Sequence, residues 1–289
     1  MTSQENDPQS KSLRLVVVAG ARPNFIKIAP LMEELRQRPR FATQLVHTGQ
    51  HYDEAMSQSF FRDLGIPEPD VNLGVGSGSH AEQTGQVLIQ MEALLQETAP
   101  HAIIVVGDVN STLAASLAAA KLNIPIAHVE AGLRSGDRTM PEEINRVLTD
   151  SVSDWLFTTE PDGERNLLRE GVDPSRIHFV GNVMIDTLLA NIERFRAPDF
   201  WHREELQPNE YFVLTLHRPN NVDEQEKLVA MLNAISEGTR GHKIVFPVHP
   251  RTAKMLKELD SELPGFVYAE PMGYLEFNYL VKNCMAVIT

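Results

Sequence analysis

The sequence has a single cysteine, Cys284, among its 289 residues, so no intrachain disulfide can form. Cys284 lies in an apolar run, which favours a buried core thiol over a nucleophile. The N-terminal stretch carries no apolar segment typical of a signal peptide, and no later run is apolar for the length of a membrane span. These features exclude a disulfide scaffold and favour a cytoplasmic protein that does not enter the membrane.

Several signatures of cofactor binding and catalysis are also missing. The turn Gly20-Ala21-Arg22-Pro23 matches neither the dinucleotide fingerprint G-x-G-x-x-G nor the P-loop. No H-E-x-x-H or Cys/His spacing predicts a metal site, and no G-x-S-x-G predicts a serine hydrolase. We therefore expect neither a bound metal ion nor serine-hydrolase chemistry.

Positive charge is scarce. Lys and Arg number 26 against 39 Asp and Glu, which gives a formal net charge of −13. An acidic protein is a poor non-specific partner for nucleic acid or for an anionic membrane surface. We expect neither as a partner.

What the sequence does contain is a regular alternation of short apolar runs with amphipathic stretches. The run Ala102–Val106 is apolar throughout, and Leu13–Ala19 is apolar except for Arg14, which is typical of parallel strands covered on both faces. The alternation predicts an α/β fold of two Rossmann-like, doubly wound domains. We predict a disordered tail over 1–12, a first domain over 13–182, a connecting helix and linker over 183–209, and an incomplete second domain over 210–289.

Charged residues gather at the predicted strand ends, where open α/β sheets bind their ligands. The cationic and histidine side chains there are Arg22, Lys27, His51, Arg134, Arg138, Arg146, His217, Arg218, His249 and Arg251. They suit an anionic diphosphate. Three carboxylates, Asp108, Glu130 and Glu142, lie among them, and this mixture favours proton transfer beside an anionic leaving group.

Two of the three carboxylates also have an ordinary structural explanation. Asp108 suits the start of an N-cap turn, and Glu142 with Glu143 after Pro141 suits the first turn of a helix. Adjacent helical residues point about 100° apart, so we expect at most one of that pair to face a ligand. Glu130 is harder to explain structurally, because it closes an apolar strand where an unpaired carboxylate is costly.

At these residues the sequence closely resembles the non-hydrolysing UDP-N-acetylglucosamine 2-epimerases. The matching segments run in family order: Gly20-Ala21-Arg22-Pro23 with Lys27, Gly49-Gln50-His51, Gly107-Asp108, His128-Val129-Glu130-Ala131-Gly132-Leu133-Arg134, Pro141-Glu142-Glu143, Asn145-Arg146, Gly181-Asn182, His217-Arg218 and Pro247-Val248-His249. The resemblance implies a glycosyltransferase B-type fold with a UDP-sugar between two lobes. It also implies anti elimination of UDP to 2-acetamidoglucal and re-addition, without redox cofactor or metal.

The resemblance assigns roles to individual residues. It implies that the catalytic groups are Asp108, Glu130, Glu142 and His217. It implies a substrate-binding set of Arg22, Lys27, Gln50, His51, Arg134, Arg146, Arg218 and His249. Which carboxylate acts as acid and which as base stays open. The family also implies a homodimer and a place in cell-surface polysaccharide synthesis.

The sequence departs from the family pattern in two places. The family continues past a strand like that ending at Thr289 into a segment that holds the uridine ribose and phosphates, so we expect a chain ending there to bind UDP weakly and turn over poorly. Tyr52 follows Gln50-His51 where many bacterial members have Arg, which argues against activation by a second substrate molecule. Three alternatives remain: an epimerase of another sugar such as UDP-diacetamido-glucuronic acid, a glycosyltransferase, or an inactive fragment.

Overall fold

The computed structural model describes residues 12–49, 60–216, 225–248, 256, 263 and 265–289, without the side chains of Arg22, Gln225 and Glu226. The predicted disordered tail lies almost wholly outside these residues. The chain divides into two compact units, 1–190 and 191–289. The division falls inside the connection that we predicted over 183–209.

The first unit is built on a seven-stranded parallel sheet. Its strands lie in the order β3-β2-β1-β4-β5-β6-β7. Their bounds are β1 Leu13–Ala19, β2 Phe41–His47, β3 Val71–Asn72, β4 Ala102–Val106, β5 Ile126–Ala131, β6 Trp155–Thr158 and β7 Ile177–Phe179. The strand order reverses between β1 and β4, which is the position where open α/β sheets bind ligands.

The helices of the first unit are joined to these strands by short connections. They are α1 Arg22–Arg36, α2 His80–Thr98, α3 Asn110–Lys121, α4 Pro141–Val152, α5 Pro161–Arg169 and α6 Val183–Asn191, with a 3-10 turn at Pro174–Arg176. A capping box starts α2: the Ser79 hydroxyl accepts from the Glu82 amide at 3.2 Å, and the Glu82 carboxylate accepts from the Ser79 amide at 2.9 Å. Ala-rich α3 is buried along most of its length, because small side chains allow it to pack closely.

The second unit has a smaller parallel sheet with four strands. Its parallel sheet has the order β10-β9-β8-β11. The elements are a 3-10 turn at Ile192–Arg194, α7 Phe200–Arg203, β8 Tyr211–Leu214, α8 Gln225–Gly238, β9 Lys243–Pro247, β10 Phe266–Ala269, α9 Tyr274–Asn283 and β11 Ala286–Ile288. Within the described ranges, every helix is too short or too polar to cross a lipid bilayer.

The two parallel sheets confirm the predicted α/β class with two Rossmann-like units. Strands β1 and β4 begin and end where the runs Leu13–Ala19 and Ala102–Val106 do. Strand β3 was missed, because two residues carry no periodic signal. Within the connection predicted over 183–209, the helix spans Val183–Asn191 and then tightens into the 3-10 turn Ile192–Arg194.

A buried ionic network joins β5 to α4 in the first unit. The His128 Nδ1 atom lies 2.6 Å from Asp150 Oδ1, and both side chains are almost fully buried. The second Asp150 oxygen accepts from the Gly132 amide at 3.0 Å and from Arg134 at 2.8 Å. Burial pushes the pKa of Asp150 upward, but the hydrogen bond and charge of His128, aided by Arg134, outweigh it and hold that pKa below the ordinary aspartate value.

We predict that Asp150→Ala lowers the free energy of unfolding of the first unit by about 3–5 kcal/mol, because it removes the carboxylate partner of buried His128 and one of the two carboxylate partners of Arg134. Trp155 lies in the first unit and Trp201 in the second. Urea unfolding followed by Trp155 fluorescence in a Trp201→Phe background therefore reports on the first unit alone. Asp162→Asn, an exposed carboxylate on α5, is the control and should change stability by roughly 0.5 kcal/mol or less.

The pH dependence of this difference follows from the lowered pKa of Asp150. Its contribution is fully present above the pKa of an unfolded aspartate and is lost as pH falls through the lower folded value. The gap between wild type and Asp150→Ala should therefore be larger at pH 5 than at pH 3, because it shrinks below about pH 4. An equal gap at pH 5 and pH 3 contradicts this account.

Candidate functional site

The site is formed where β1, β4 and β5 end side by side. Because neighbouring parallel strands end at the same edge, the residues that follow them converge there. Asp108 follows β4, and Glu130 is the penultimate residue of β5. Lys27 comes from α1, and α4 supplies Glu142 and Arg146. Chain segments about a hundred residues apart are thus brought together by strand order alone.

Glu130 forms an ion pair with Lys27, which is buried. The Glu130 backbone has a φ of 74°, a left-handed conformation that is uncommon for a side chain of this size. The pairing of β5 with β6 shifts register between Val129 and Ala131, so Glu130 occupies a bulge. Bulges redirect side chains beside functional sites, and this one turns Glu130 away from the strand's regular alternation.

Lys27 reaches Glu130 because Gly107 leaves room for it. A Cβ atom on Gly107 would lie 2.8 Å from the Lys27 amino nitrogen, and the Gly107 φ of 67° also disfavours any other residue. Asn24 fixes the start of α1: its carbonyl oxygen accepts from the amides of Gly20 and Ala21, and its amide donates to the Val106 carbonyl. The β1–α1 turn is thereby tied to the end of β4.

Asp108 is held by Arg146. The Arg146 Nε and Nη2 atoms donate to the same Asp108 oxygen at 3.0 and 2.6 Å. The neighbouring Asn145 amide donates to the Asp108 backbone carbonyl at 2.8 Å. Two consecutive residues of α4 therefore fix both the backbone and the carboxylate of Asp108.

The adjacent residues Glu142 and Glu143 have different surroundings, as the helix geometry requires. Glu143 is buried and accepts from the amides of Ser135 and Gly136 at 2.9 and 3.0 Å. Burial raises the Glu143 pKa, but these amide donors, with the Ser135 hydroxyl and Arg146, outweigh it and leave the pKa lowered. Glu142 is half-buried, and none of the hydrogen bonds or ion pairs among the described residues uses its carboxylate.

Arg134 differs from Lys27 and Arg146, because it pairs with Glu170 and Asp150 and with none of the three candidate carboxylates. Its Nε and Nη2 atoms donate to the two oxygens of Glu170 at 2.8 and 2.7 Å, and Nη1 lies 2.8 Å from Asp150. Nη1 also donates to the Leu133 carbonyl at 2.7 Å. These contacts place Arg134 in the network that joins β5 to α4 and α5.

Several predicted site residues fall outside the described part of the chain. These are Gln50, His51, His217, Arg218 and His249, together with the side chain of Arg22. Of the predicted set, the structure brings Lys27, Asp108, Glu130 and Arg146 into two ion pairs at one sheet edge, with Glu142 on the same helix as Arg146.

Sequence reasoning missed three supporting residues: His128, Glu143 and Asp150. A buried histidine inside the apolar strand β5 was the signal for the first. Nothing in the sequence identified Asp150 as its partner. Across the ranges that the structure describes, no group of three His, Cys, Asp or Glu side chains is arranged to hold a metal ion.

The site can move protons beside an anion. Asp108 and Glu130 each carry a cationic partner, Glu142 has none in the described chain, and Lys27 and Arg146 add positive charge. Carboxylates in such different surroundings can act as separate acid and base.

Comparison with known proteins places the chain in a family. A family model described as UDP-N-acetylglucosamine 2-epimerase matches residues 33–289. The chain is 45% identical over 284 residues to a UDP-N-acetylglucosamine 2-epimerase homolog of Methanococcus maripaludis, covering 96% of this chain and 78% of that one. It is 40% identical over 281 residues to the UDP-2,3-diacetamido-2,3-dideoxy-D-glucuronate 2-epimerase of Pseudomonas aeruginosa, with the same two coverages.

A solved structure supports the same family assignment. The Methanocaldococcus jannaschii UDP-GlcNAc 2-epimerase, in complex with UDP-GlcNAc and UDP, superposes with a TM-score of 0.85 at 40% identity, covering 95% of this chain and 78% of that one. The family model covers most of the chain, and the relatives share its sequence and fold. The chain belongs to the UDP-N-acetylglucosamine 2-epimerase family.

Proposed function

We propose that this protein interconverts UDP-GlcNAc and UDP-ManNAc. The proposed reaction begins when a base removes the proton at C2 and the bond from C1 to UDP breaks, leaving 2-acetamidoglucal and UDP. UDP then re-adds at C1 while C2 is protonated from the other face. The proton and the leaving group both return, so the reaction needs no redox cofactor.

The observation that carries the proposal is the grouping of carboxylates at one sheet edge. Elimination requires one group to take the C2 proton, and inversion requires a proton donor on the opposite face. We propose Asp108, Glu130 and Glu142 for these roles, with the acid and base assignment open among them. The ion pairs of Asp108 with Arg146 and of Glu130 with Lys27 support it, because they hold both carboxylates in fixed positions.

Departing UDP requires positive charge. We propose Lys27 and Arg22 for its phosphates, since both belong to the helix that starts at the strand-order reversal, where an N-terminus also attracts anions. Arg146 lies beside Asp108 and can contribute. The bonds of Arg134 to Glu170 and Asp150 favour a structural role for that residue.

The remaining roles rest on the family pattern alone. We propose His217 as the catalytic histidine and Gln50, His51, Arg218 and His249 as substrate-binding residues. The substrate class makes the cytoplasm the proposed compartment, since no transport step is then required between nucleotide-sugar supply and use.

A second candidate substrate has specific support. The Pseudomonas aeruginosa relative is named for UDP-2,3-diacetamido-2,3-dideoxy-D-glucuronate and is 40% identical to this chain. The same elimination and re-addition applies to that sugar, so the carboxylate set does not separate the two substrates.

We also propose that the protein is a homodimer, as the family resemblance implies. Helix α4 presents a row of exposed apolar residues, Ile144, Val147 and Leu148, of which Leu148 is 43% exposed. The buried residues of the helix, Glu143, Asn145, Thr149 and Asp150, are centred on the other side. A second copy of the chain would cover the exposed apolar face.

We predict that the protein, expressed from its complete gene and incubated with UDP-GlcNAc in D2O, forms UDP-ManNAc and incorporates deuterium at C2. Proton NMR follows both events. A parallel incubation with UDP-2,3-diacetamido-2,3-dideoxy-D-glucuronate ranks the two sugars by kcat/KM. A glycosyltransferase would show no exchange at C2 without an acceptor, and absence of exchange with both sugars contradicts the proposal.

We predict that Asp108→Asn, Glu130→Gln and Glu142→Gln each lower kcat for C2 exchange by about 10²–10⁴-fold, because each removes a proton acceptor or donor. Glu164→Gln, an exposed position on α5, is the matched control and should behave like wild type. Circular dichroism checks folding. Wild-type exchange rates in all three variants would remove these carboxylates from the reaction.

We predict that Leu148→Glu converts the dimer to a monomer, because it places a charge in the apolar face of α4. Light scattering coupled to size-exclusion chromatography measures the mass of wild type and variant. Leu168→Glu, on exposed α5, is the control and should leave the dimer intact. A wild-type mass equal to one chain contradicts the dimer, and an unchanged mass for Leu148→Glu contradicts this interface.

A further inference from the structure

His128 lies fully buried on β5, two residues before Glu130. Its Nε2 atom lies 2.8 Å from the backbone carbonyl of Gly107, the residue before Asp108. Its Nδ1 atom lies 2.6 Å from Asp150. The proposed reaction uses neither His128 nor Asp150, yet their contacts lie beside both carboxylates of the two ion pairs.

The hydrogen-bond partners assign the protons of His128. The Gly107 carbonyl can only accept, so Nε2 carries a proton. One proton must also lie between Nδ1 and Asp150 Oδ1, because two lone pairs would repel at 2.6 Å. Asp150 accepts from the Gly132 amide and from Arg134 through its other oxygen as well. His128 therefore bonds to the Gly107 carbonyl through one ring nitrogen and to Asp150 through the other.

We infer that His128 is the positioning residue for Asp108 and Glu130, because it holds the two turns that carry them in one fixed relation. The expected effect on turnover rests on the proposed function. The contacts by which His128 holds the two turns do not depend on that function.

The contacts form a connected chain of hydrogen bonds through the backbone beside the two carboxylates. His128 Nε2–H donates to the carbonyl of Gly107, whose own amide donates to the Val129 carbonyl at 3.0 Å. Through Asp150, His128 also holds the Gly132 amide at 3.0 Å. Asp108 and Glu130 are each directly joined to a residue of this chain.

Glu130 has particular need of such support. Its positive φ and the register shift of β5 are strained features that persist only where surrounding contacts fix them. The chain from His128 through Asp150 to Gly132 spans the bulge on both sides. Releasing it allows the Glu130 carboxylate to leave the position set by Lys27.

Two variants separate the two contacts of His128. His128→Asn keeps a donor near the Nδ1 position toward Asp150 and loses the donor to Gly107. His128→Gln keeps a donor near the Nε2 position toward Gly107 and loses the donor to Asp150. His178→Asn and His178→Gln, at an exposed position on the edge strand β7, are matched controls.

The first measurement is amide hydrogen exchange followed by NMR, which does not depend on any activity. We expect the Gly107 amide to exchange at least about tenfold faster in His128→Asn, and the Gly132 amide in His128→Gln, while amides of β1 keep wild-type rates. Unchanged exchange at both glycines in both variants overturns the inference, whether or not the protein proves to be an epimerase.

The second measurement is steady-state epimerisation with UDP-GlcNAc. We expect each His128 variant to lose about 10²-fold in kcat with KM within about threefold, because misplaced carboxylates slow the chemistry more than they weaken binding. A histidine with only a structural role would lower the melting temperature and leave kcat per folded molecule unchanged, and that result overturns the positioning role. If the wild type itself has no activity, the proposed function fails. The hydrogen-exchange measurement alone then decides whether His128 holds the two turns.

Discussion

The structure of the site depends on one constraint: a charge placed among the apolar ends of parallel strands must have a partner. Lys27 pairs with Glu130, Arg146 with Asp108 and Glu143, and Asp150 with His128 and Arg134. An isolated charge in such surroundings is too costly to maintain. The pairing therefore does more than neutralise charge. The pairs Lys27–Glu130, Arg146–Asp108 and Asp150–His128 each join a helix to a strand or its end, which fixes the geometry before any substrate arrives. Preorganised charge of this kind is what stabilises developing charge in a reaction.

Much of the fold follows from local sequence, and much of the site does not. Apolar runs such as β4 predict their own limits, since both faces of the strand are buried. Helix α4 begins where Pro141 and two glutamates indicate it should. By contrast, the pairing of Asp108 with Arg146 or of His128 with Asp150 depends on which strands lie side by side. Sheet order is set by long-range packing, so no local pattern carries it.

The pair Glu142 and Glu143 illustrates the same limit at the scale of one helix turn. Their spacing requires that they point in different directions, and the sequence supports that much. Which of them turns inward is decided by the loop before the helix, whose amides at Ser135 and Gly136 are satisfied by Glu143. Glu143 is thereby occupied as a structural acceptor, and Glu142 is the one left with a carboxylate that can meet a ligand.

The ion pair of Lys27 with Glu130 depends on glycines at two nearby positions. A Cβ on Gly107 would crowd the Lys27 amino group, and a Cβ on Gly132 would collide with the backbone of Gly163. Both glycines also have a positive φ, so any larger residue would meet strain as well as collision. Because Gly132 follows the bulge that turns Glu130, and Gly107 leaves the space through which Lys27 reaches it, the position of this carboxylate is determined by two backbone turns as much as by its charge. A substitution at either glycine would act on Glu130 without touching it, which is why glycines beside a charged site can matter as much as the charged residues.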